Sequence, residues 1–384
     1  MLSTLVAASL LLSACIDLSS SRSGGSRSSV PCGPQPYFTV LPVPASRIDW
    51  VDVIGRLGAP SQTLPKGHTG AMLNSENVPV VAPGDISIDR LRRVRYLESP
   101  NRQGDEDYAI FYSVCQDVTG HFGHVRSLDS ATFLADMKWV DCETYSTADE
   151  TVESCETSNI DLRVRAGQPL GTVGGPTGSA LDMGLVDRRV THAWAAPHRH
   201  NDEFNHMVCP FEYYDTANRD VFFSKLQNGL NPDAPPVGEP RCGTLNVDVA
   251  GTAQGIWVES GATIVLANGQ HRTITLANNP YQPEAELALS LGPDALGAGT
   301  YRVPRKTSGR VNRVFADIVD ETIHCYFAEG FTGWSAPQDM SWLLALEANG
   351  ALKIEKVTHA DGATPCAADP STWAFTGNAM TLVR

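Results

Sequence analysis

Histidines and carboxylates are concentrated in one stretch of the chain, THAWAAPHRHNDEFNHMVCPFEYYD over 191–215. Imidazole and carboxylate groups both bind transition metals, so this stretch is a candidate metal site. Its spacing matches no standard motif, and prolines at 197 and 210 favour a loop over a helix face. The alternative is a polar loop pinned by Cys209. The candidate ligands are His192, His198, His200, His206, Asp202 and Glu203.

Two common catalytic signatures are missing from the sequence. It contains neither a GxSxG nucleophile elbow nor a phosphate-binding P-loop. The segment GTVGGPTG (171–178) is rich in glycine, but it lacks the Gly-Lys-Ser/Thr ending of a P-loop. We therefore expect this segment to form a turn between strands.

Three other segments share a pattern with a known family. They are GHTGAML (67–73) running into VPVVAPG (78–84), GHFGHV (120–125) and RAGQPLGTVGGPTGSALDMGL (165–185). Together they resemble the lysostaphin-type (LytM-like) zinc endopeptidases, which cleave peptidoglycan cross-bridges. The resemblance covers about residues 64–187, with an enlarged insertion at 129–160. It implies a β-sheet peptidase-like domain over residues 32–230.

The resemblance also implies where a zinc site would lie. A zinc peptidase needs three protein ligands and an open fourth position for water. His68 matches the first ligand, whereas Met72 stands where the family has an aspartate. Asp182 stands where the family has its third ligand, a histidine. Ala180 stands where the family has one catalytic histidine, and His124 matches the other catalytic histidine. The implied set is therefore His68 and Asp182 for the metal, with His124 catalytic if the site is active.

These departures leave three interpretations open. His68 and His124 are either polar residues satisfied by local hydrogen bonds in an inactive domain, or part of a residual metal site. Water or a nearby carboxylate such as Asp85 would complete such a residual site. The third interpretation is an active peptidase with a rearranged site formed by His68, Asp182 and His124. The expected cofactor is accordingly none or zinc.

The N-terminal sequence has the form of a bacterial lipoprotein signal. Leu12-Ser13-Ala14-Cys15 follows a short apolar run, which predicts a signal peptide over 1–14 and lipidation of Cys15. Residues 15–31 are rich in serine and glycine and predict a flexible tether. The alternative is an ordinary secretory signal with a chance cysteine. Both predict export, and lipidation would anchor the chain to a membrane of the bacterial cell envelope.

Eight cysteines remain once Cys15 is set aside, and an even number in an exported chain predicts disulfides. Spacing alone leaves their pairing open, and no CxxC spacing supports a redox or zinc-ribbon site. We expect Cys142 to pair with Cys155 within the insertion at 129–160, and Cys325 to pair with Cys366 in the C-terminal domain. For the other four we expect the pairs Cys32–Cys115 and Cys209–Cys242.

The elements that must position these residues are mainly β. Short apolar runs separated by Gly, Pro, Asn and Asp dominate, as in 37–43, 107–114, 263–269 and 351–357. Short helices are conceivable at 130–140 and 219–230. The net charge of −14 argues against nucleic-acid binding, because that function needs a basic surface.

The C-terminal part is predicted to be a separate small β domain. Prolines and glycines mark a linker at 231–239, and residues 240–384 form a run of short strands typical of a barrel or sandwich. The G-x-W at 255–257 and the final Arg384 resemble the lipocalin-like (calycin) barrels, which implies that Trp257 and Arg384 pack together. The alternative is a core tryptophan and a solvated arginine.

These predictions lead to three hypotheses about function. The first is an envelope lipoprotein whose inactive peptidase-like domain binds or scaffolds, with peptidoglycan or an envelope protein as partner. The second is an active zinc metallopeptidase that cleaves peptidoglycan cross-bridges. The third is a carrier of a small apolar ligand in the C-terminal barrel.

Overall fold

A computed structural model describes thirteen stretches of the chain: 29–59, 62–100, 102–133, 137–146, 150–157, 160–175, 180–227, 237–261, 273–292, 296–327, 340–360, 366 and 369–384. The predicted signal peptide, Cys15, most of the tether and most of the linker lie outside these residues. No helix in the described stretches is long and apolar enough to cross a membrane.

The first part of the chain forms one twelve-stranded antiparallel sheet. Its main path runs β1-β2-β11-β6-β5-β4-β8-β7, while β3 and β6 flank β10, β9 pairs with β4, and β12 pairs with β11. The strands are β1 (Ile48–Val51), β2 (His68–Leu73), β3 (Val78–Val81), β4 (Ile86–Glu98), β5 (Glu106–Cys115), β6 (Val118–Leu128), β7 (Trp139–Ser146), β8 (Thr151–Thr157), β9 (Leu162–Val164), β10 (Pro169–Val173), β11 (Ala180–Asp187) and β12 (Met207–Val208).

The second part forms an eight-stranded antiparallel sheet that closes almost into a barrel. Its order is β16-β15-β14-β13-β20-β19-β18-β17, so the two edge strands come from the middle of this part. The strands are β13 (Gly255–Glu259), β14 (Thr273–Asn278), β15 (Glu286–Leu291), β16 (Gly299–Pro304), β17 (His324–Tyr326), β18 (Met340–Leu346), β19 (Leu352–Thr358) and β20 (Met380–Val383). The prediction of a mainly β protein is confirmed.

The two helix predictions have different outcomes. One α-helix, α1, spans Thr216–Ser224 in the described residues, overlapping the predicted 219–230. It begins where Asp215 accepts a hydrogen bond from the backbone N–H of Asn218 at 2.9 Å, a typical N-cap. The helix expected at 130–140 is not found in its described residues, because 130–133 form a turn and Trp139 already begins β7, while 134–136 lie outside the described residues.

The described residues form two large hydrophobic cores and a small third cluster of Val94, Tyr96 and Val152. The first lies against the twelve-stranded sheet and also takes in Ile256, Val258, Ala277 and Ala288 from the other sheet. The second is confined to the interior of the eight-stranded sheet, where its largest members are Trp257, Trp342, Phe315 and Tyr326. The two parts therefore share apolar contacts, and each sheet buries an apolar surface as the sequence pattern requires.

All four predicted disulfide pairs are confirmed: Cys32–Cys115, Cys142–Cys155, Cys209–Cys242 and Cys325–Cys366. The Cys142–Cys155 bond joins the hairpin strands β7 and β8 within the 129–160 insertion. The Cys209–Cys242 bond joins the first part of the chain to the segment that leads into the second sheet. Each bond restricts the unfolded chain and so stabilises the fold.

The predicted contact between Trp257 and Arg384 is also confirmed. The Arg384 guanidinium lies 4.4 Å from the centroid of the Trp257 ring, within cation–π range. Arg384 also donates hydrogen bonds to the carbonyls of Val249, Thr252 and Gln254. The indole N–H of Trp257 donates to the carbonyl of Ala253 at 2.8 Å. Arg384 is thus tied to the turn before β13 and is not a solvated end.

Candidate functional site

Three neighbouring strands bring His68, Asp182 and His124 together, as the sequence analysis predicts. His68 begins β2, Asp182 lies in β11 and His124 lies in β6. His68 Nε2 is 3.0 Å from Asp182 Oδ2, and His124 Nε2 is 3.3 Å from the same oxygen. All three side chains are only 11% exposed, so Asp182 links the two histidines in a nearly buried site.

Glycines on these strands make room for the polar side chains. Gly70 and Gly123 are the register partners of Asp182 on either side. A Cβ at Gly70 would lie 3.1 Å from Asp182 Oδ1, and one at Gly123 would lie 3.2 Å from Asp182 Cβ. A Cβ at Gly184 would lie only 2.0 Å from the His121 ring. The glycine-rich motifs therefore serve the close packing of this polar face.

A β-bulge turns His124 towards the site. The register between β5 and β6 shifts between Tyr108 and Ile110, so Gly123 and His124 oppose one residue of β5. His124 takes a φ of +60°, a conformation that few residues other than glycine adopt. Such bulges redirect side chains, and strained conformations persist where the surroundings hold them. Here the holding groups are Asp182 and Asp107.

Asp107 supports His124 from the side away from Asp182. Its Oδ2 lies 2.9 Å from His124 Nδ1 and accepts a hydrogen bond from the Tyr96 hydroxyl at 3.0 Å. Arg102 also forms an ion pair with this carboxylate. Burial by itself would raise the pKa of Asp107, but His124, Arg102 and Tyr96 lower it to about 2. Asp107 is therefore a carboxylate at neutral pH.

A lysine that the sequence analysis did not single out completes the site. Lys66 Nζ is 3.3 Å from Asp182 Oδ1 and 3.3 Å from Asp52 Oδ2. Arg56 contacts the same oxygen of Asp52 at 3.2 Å. The polar network thus extends from Arg56 through Asp52, Lys66 and Asp182 to the histidines. Because each buried charge has an opposite partner, the desolvation cost of the network is offset.

These contacts determine the protonation states of His124, His68 and Asp182. Burial would lower the pKa of His124, but its hydrogen bonds with Asp107 and Asp182 raise it to about 10. Burial and the nearby Lys66 ammonium lower the pKa of His68. Burial would raise the pKa of Asp182, yet Lys66, His68 and His124 hold it well below its usual range. At neutral pH the site contains an imidazolium at His124 and a carboxylate at Asp182.

His121 lies beside the site without joining its hydrogen bonds. Its ring centroid is 5.8 Å from that of His68 and 5.9 Å from that of Phe111. Its Nε2 has no hydrogen-bond partner, and burial followed by the repulsion of His68 lowers its pKa to about 3. His121 is therefore a neutral, packed histidine.

The candidate zinc ligands are paired with protein groups in this structure. Met72 and Ala180 are register partners on β2 and β11, and neither side chain is a good ligand for zinc. Among the described residues, His68, Asp182 and His124 do not bring one ligand atom each to within 4.8 Å of one another. Lys66 adds a positive charge against Asp182, which disfavours a cation there. Asp85 is engaged elsewhere, accepting from the backbone of Ala166 at 3.0 Å.

Among the described residues, one group brings three possible ligand atoms to within 4.8 Å of one another: Cys142, Glu153 and Cys155. The two sulfurs of this group form a disulfide. Zinc binds thiolates, so the oxidised pair lacks the ligands that the site would need.

The His-rich stretch forms a loop, and its histidines are used separately. His192 Nε2 lies 2.7 Å from the carbonyl of Met207, and His206 Nδ1 lies 2.6 Å from that of Val190. His200 packs 4.5 Å from Trp194, and burial lowers its pKa to about 4. The loop interpretation therefore describes the structure, and these histidines do not form a group within metal-binding distance in the described residues.

No family model matches the chain, and no curated protein or solved structure matches it either.

Proposed function

We propose that this chain is an exported, lipid-anchored protein of the bacterial cell envelope whose first domain binds or scaffolds and does not hydrolyse. One observation carries the proposal. The Asp182 carboxylate, a position that a metal site would need, is held by His68, His124 and Lys66 at 3.0–3.3 Å. Both oxygens of this carboxylate are in contact with protein groups, so neither is free to bind a metal ion.

The same network argues against general-base catalysis. A general base must accept a proton near the working pH. His124 has a pKa raised to about 10 and is already protonated at neutral pH. Hydrolysis by zinc would also need an open coordination position for water. The alternative of an active metallopeptidase is therefore supported only by the resemblance of the three sequence motifs.

The envelope location is supported by two features. Four disulfides fit an oxidising compartment outside the cytoplasm. The lipobox-like Leu12-Ser13-Ala14-Cys15 and the Ser/Gly-rich tether fit an anchor with reach into the wall. The partner we propose is peptidoglycan or an envelope protein, with the membrane engaged only through Cys15. A net charge of −14 fits no role in nucleic-acid binding.

The third function, a small-ligand carrier, has no observation in its favour. The interior of the eight-stranded sheet is filled by large side chains that are at most 1% exposed, namely Trp257, Trp342, Phe315 and Tyr326. A carrier needs a cavity for its ligand. We do not propose this function.

Cosedimentation with purified cell wall tests the proposal. The full chain, expressed in a bacterium and extracted from membranes, is expected to pellet with insoluble peptidoglycan while leaving the turbidity of the suspension unchanged. Replacing Cys15 with Ala is expected to move the protein from the membrane fraction to the soluble fraction. Binding without lysis supports the peptidoglycan partner, whereas lysis abolished by a chelator overturns the non-catalytic assignment. Absence of binding leaves an envelope protein as the partner, to be identified by crosslinking in the same host.

A further inference from the structure

Lys66 is the central cation of the buried network. Its amine lies 3.3 Å from an oxygen of Asp52 and 3.3 Å from an oxygen of Asp182. The lysine side chain is 7% exposed, and the two carboxylates are 0% and 11% exposed. A lysine is rarely buried to this degree unless it is paired. The two carboxylates come from β11 and from the turn after β1, so the amine joins separate elements.

The backbone fixes this amine and its partners. The carbonyl of Lys66 accepts from the N–H of Gly55 at 2.8 Å, and its own N–H donates to the carbonyl of Arg56 at 2.9 Å. Asp52 is held by β2, since its N–H donates to the carbonyl of Gly70 at 3.0 Å and its carboxylate accepts from the Gly70 N–H. The contact is therefore a built feature of the fold and not a chance pairing of surface side chains.

We propose that the Lys66 ammonium is the resident cation of this site, held between two carboxylates that would otherwise need another cation. It neutralises the facing oxygens of Asp52 and Asp182 and crosslinks the elements that carry them. An ammonium has three N–H donors, so it can serve two carboxylates at once without any open coordination position. The inference goes beyond the proposed function, because it holds whatever the domain binds.

Thermal unfolding of the full chain and its variants tests the inference. Lys66→Met leaves two buried carboxylates short of a cation and is expected to lower the Tm by roughly 10 °C. Lys225→Met is the matched control, because the amine of Lys225 donates to the carbonyl of Ile48 at 2.7 Å and serves no carboxylate in that bond. The control is expected to lower the Tm by no more than a few degrees.

A double substitution separates lost charge balance from lost packing. Lys66→Met combined with Asp182→Asn is expected to recover about half of the Tm loss, because one of the two carboxylates that lost the Lys66 ammonium is then neutral. If Lys66→Met does not fold, the double variant is expected to give soluble, folded protein. An unrecovered Tm, or an equally insoluble double variant, overturns the inference.

Metal content, taken together with the Tm values of the Lys66 and Lys225 variants, distinguishes this inference from the proposed function. One zinc per chain in the wild type overturns both, since the site would then hold a metal. A zinc-free wild type in which Lys66→Met and Lys225→Met behave alike overturns only the role of Lys66. A zinc-free wild type with the large, recoverable Tm loss supports the inference.

Discussion

The two sheets of the molecule bury their interiors in different ways. The twelve-stranded sheet keeps a chain of paired charges on one face, from Arg56 through Asp182 to Arg102. The eight-stranded sheet fills its interior with aromatic and aliphatic side chains and has Arg384 stacked on Trp257. A charged network depends on every partner being present, whereas an apolar interior depends on filled volume. The first sheet therefore carries a polar site that substitution of one partner can disrupt, whereas the second carries an ordinary apolar core.

The largest expected effect is on the apolar interior. Replacing Trp342 with Ala removes a side chain that is 1% exposed and whose ring centroid is 4.4 Å from that of Tyr301. We expect the free energy of unfolding to fall by about 4 kcal/mol, because a large cavity remains. Chemical denaturation measures this loss. Val319→Ala, at a residue that is 61% exposed, is the control, and equal losses for both would contradict a filled interior.

The next largest effect is expected from a substitution that removes one charge from the network and keeps the shape of the side chain. Asp182→Asn removes the charge that faces Lys66, His68 and His124, and we expect a loss of about 3 kcal/mol in the free energy of unfolding. Asp85→Asn is the matched control at an exposed position, with an expected change below about 0.5 kcal/mol. A neutral result for Asp182→Asn would mean that the network does not support the fold.

The two sheets should also differ in their response to alkaline pH. The pKa of His124 is raised to about 10 in the folded protein, above the ordinary value of 6.5 in the unfolded chain. A raised pKa contributes stability that is fully present below pH 6.5 and is lost as the pH rises towards 10. We expect the free energy of unfolding to decline over this window in the wild type. In a His124→Gln variant the decline should be clearly smaller, and an unchanged slope would refute the charge state of His124.

The smallest expected effect concerns the end of the second sheet. Arg384→Ala removes the cation above Trp257 together with the hydrogen bonds to the carbonyls of Val249, Thr252 and Gln254. We expect a loss of about 2 kcal/mol, because both interactions are only partly exposed to water. Arg384→Lys should recover less than half of it, since lysine cannot reproduce the fork of donors. Full recovery by lysine would show that charge alone matters.

Local patterns predicted much of the fold. Short apolar runs predicted the mainly β architecture, and the four expected disulfide pairs are found, although cysteine spacing alone left their pairing open. The segment 130–140 suggested a short helix from its local pattern, whereas its described residues form a turn at 130–133 and the start of the β7–β8 hairpin at Trp139. Pairing with a neighbouring strand overrides such a local preference.

The site was only partly predictable. The motifs identified His68, Asp182 and His124, but Lys66, Asp52 and Asp107 come from other elements and carry no spacing signal of their own. Lys66 lies two residues before His68, which was the one local hint. Asp107 lies near the start of the apolar segment 107–114, where a charged residue is unexpected unless it has a buried partner. Sheet register, which sequence patterns do not specify at this distance, brings these groups together.

The central claim is that the site formed by His68, Asp182, His124 and Lys66 holds protein cations and no metal. Elemental analysis of the full chain, purified without chelator and then equilibrated with a small excess of zinc and desalted, tests it directly. We predict well under one zinc per chain, with no difference between the wild type and His68→Ala. One zinc per chain in the wild type that is lost on His68→Ala would contradict the account.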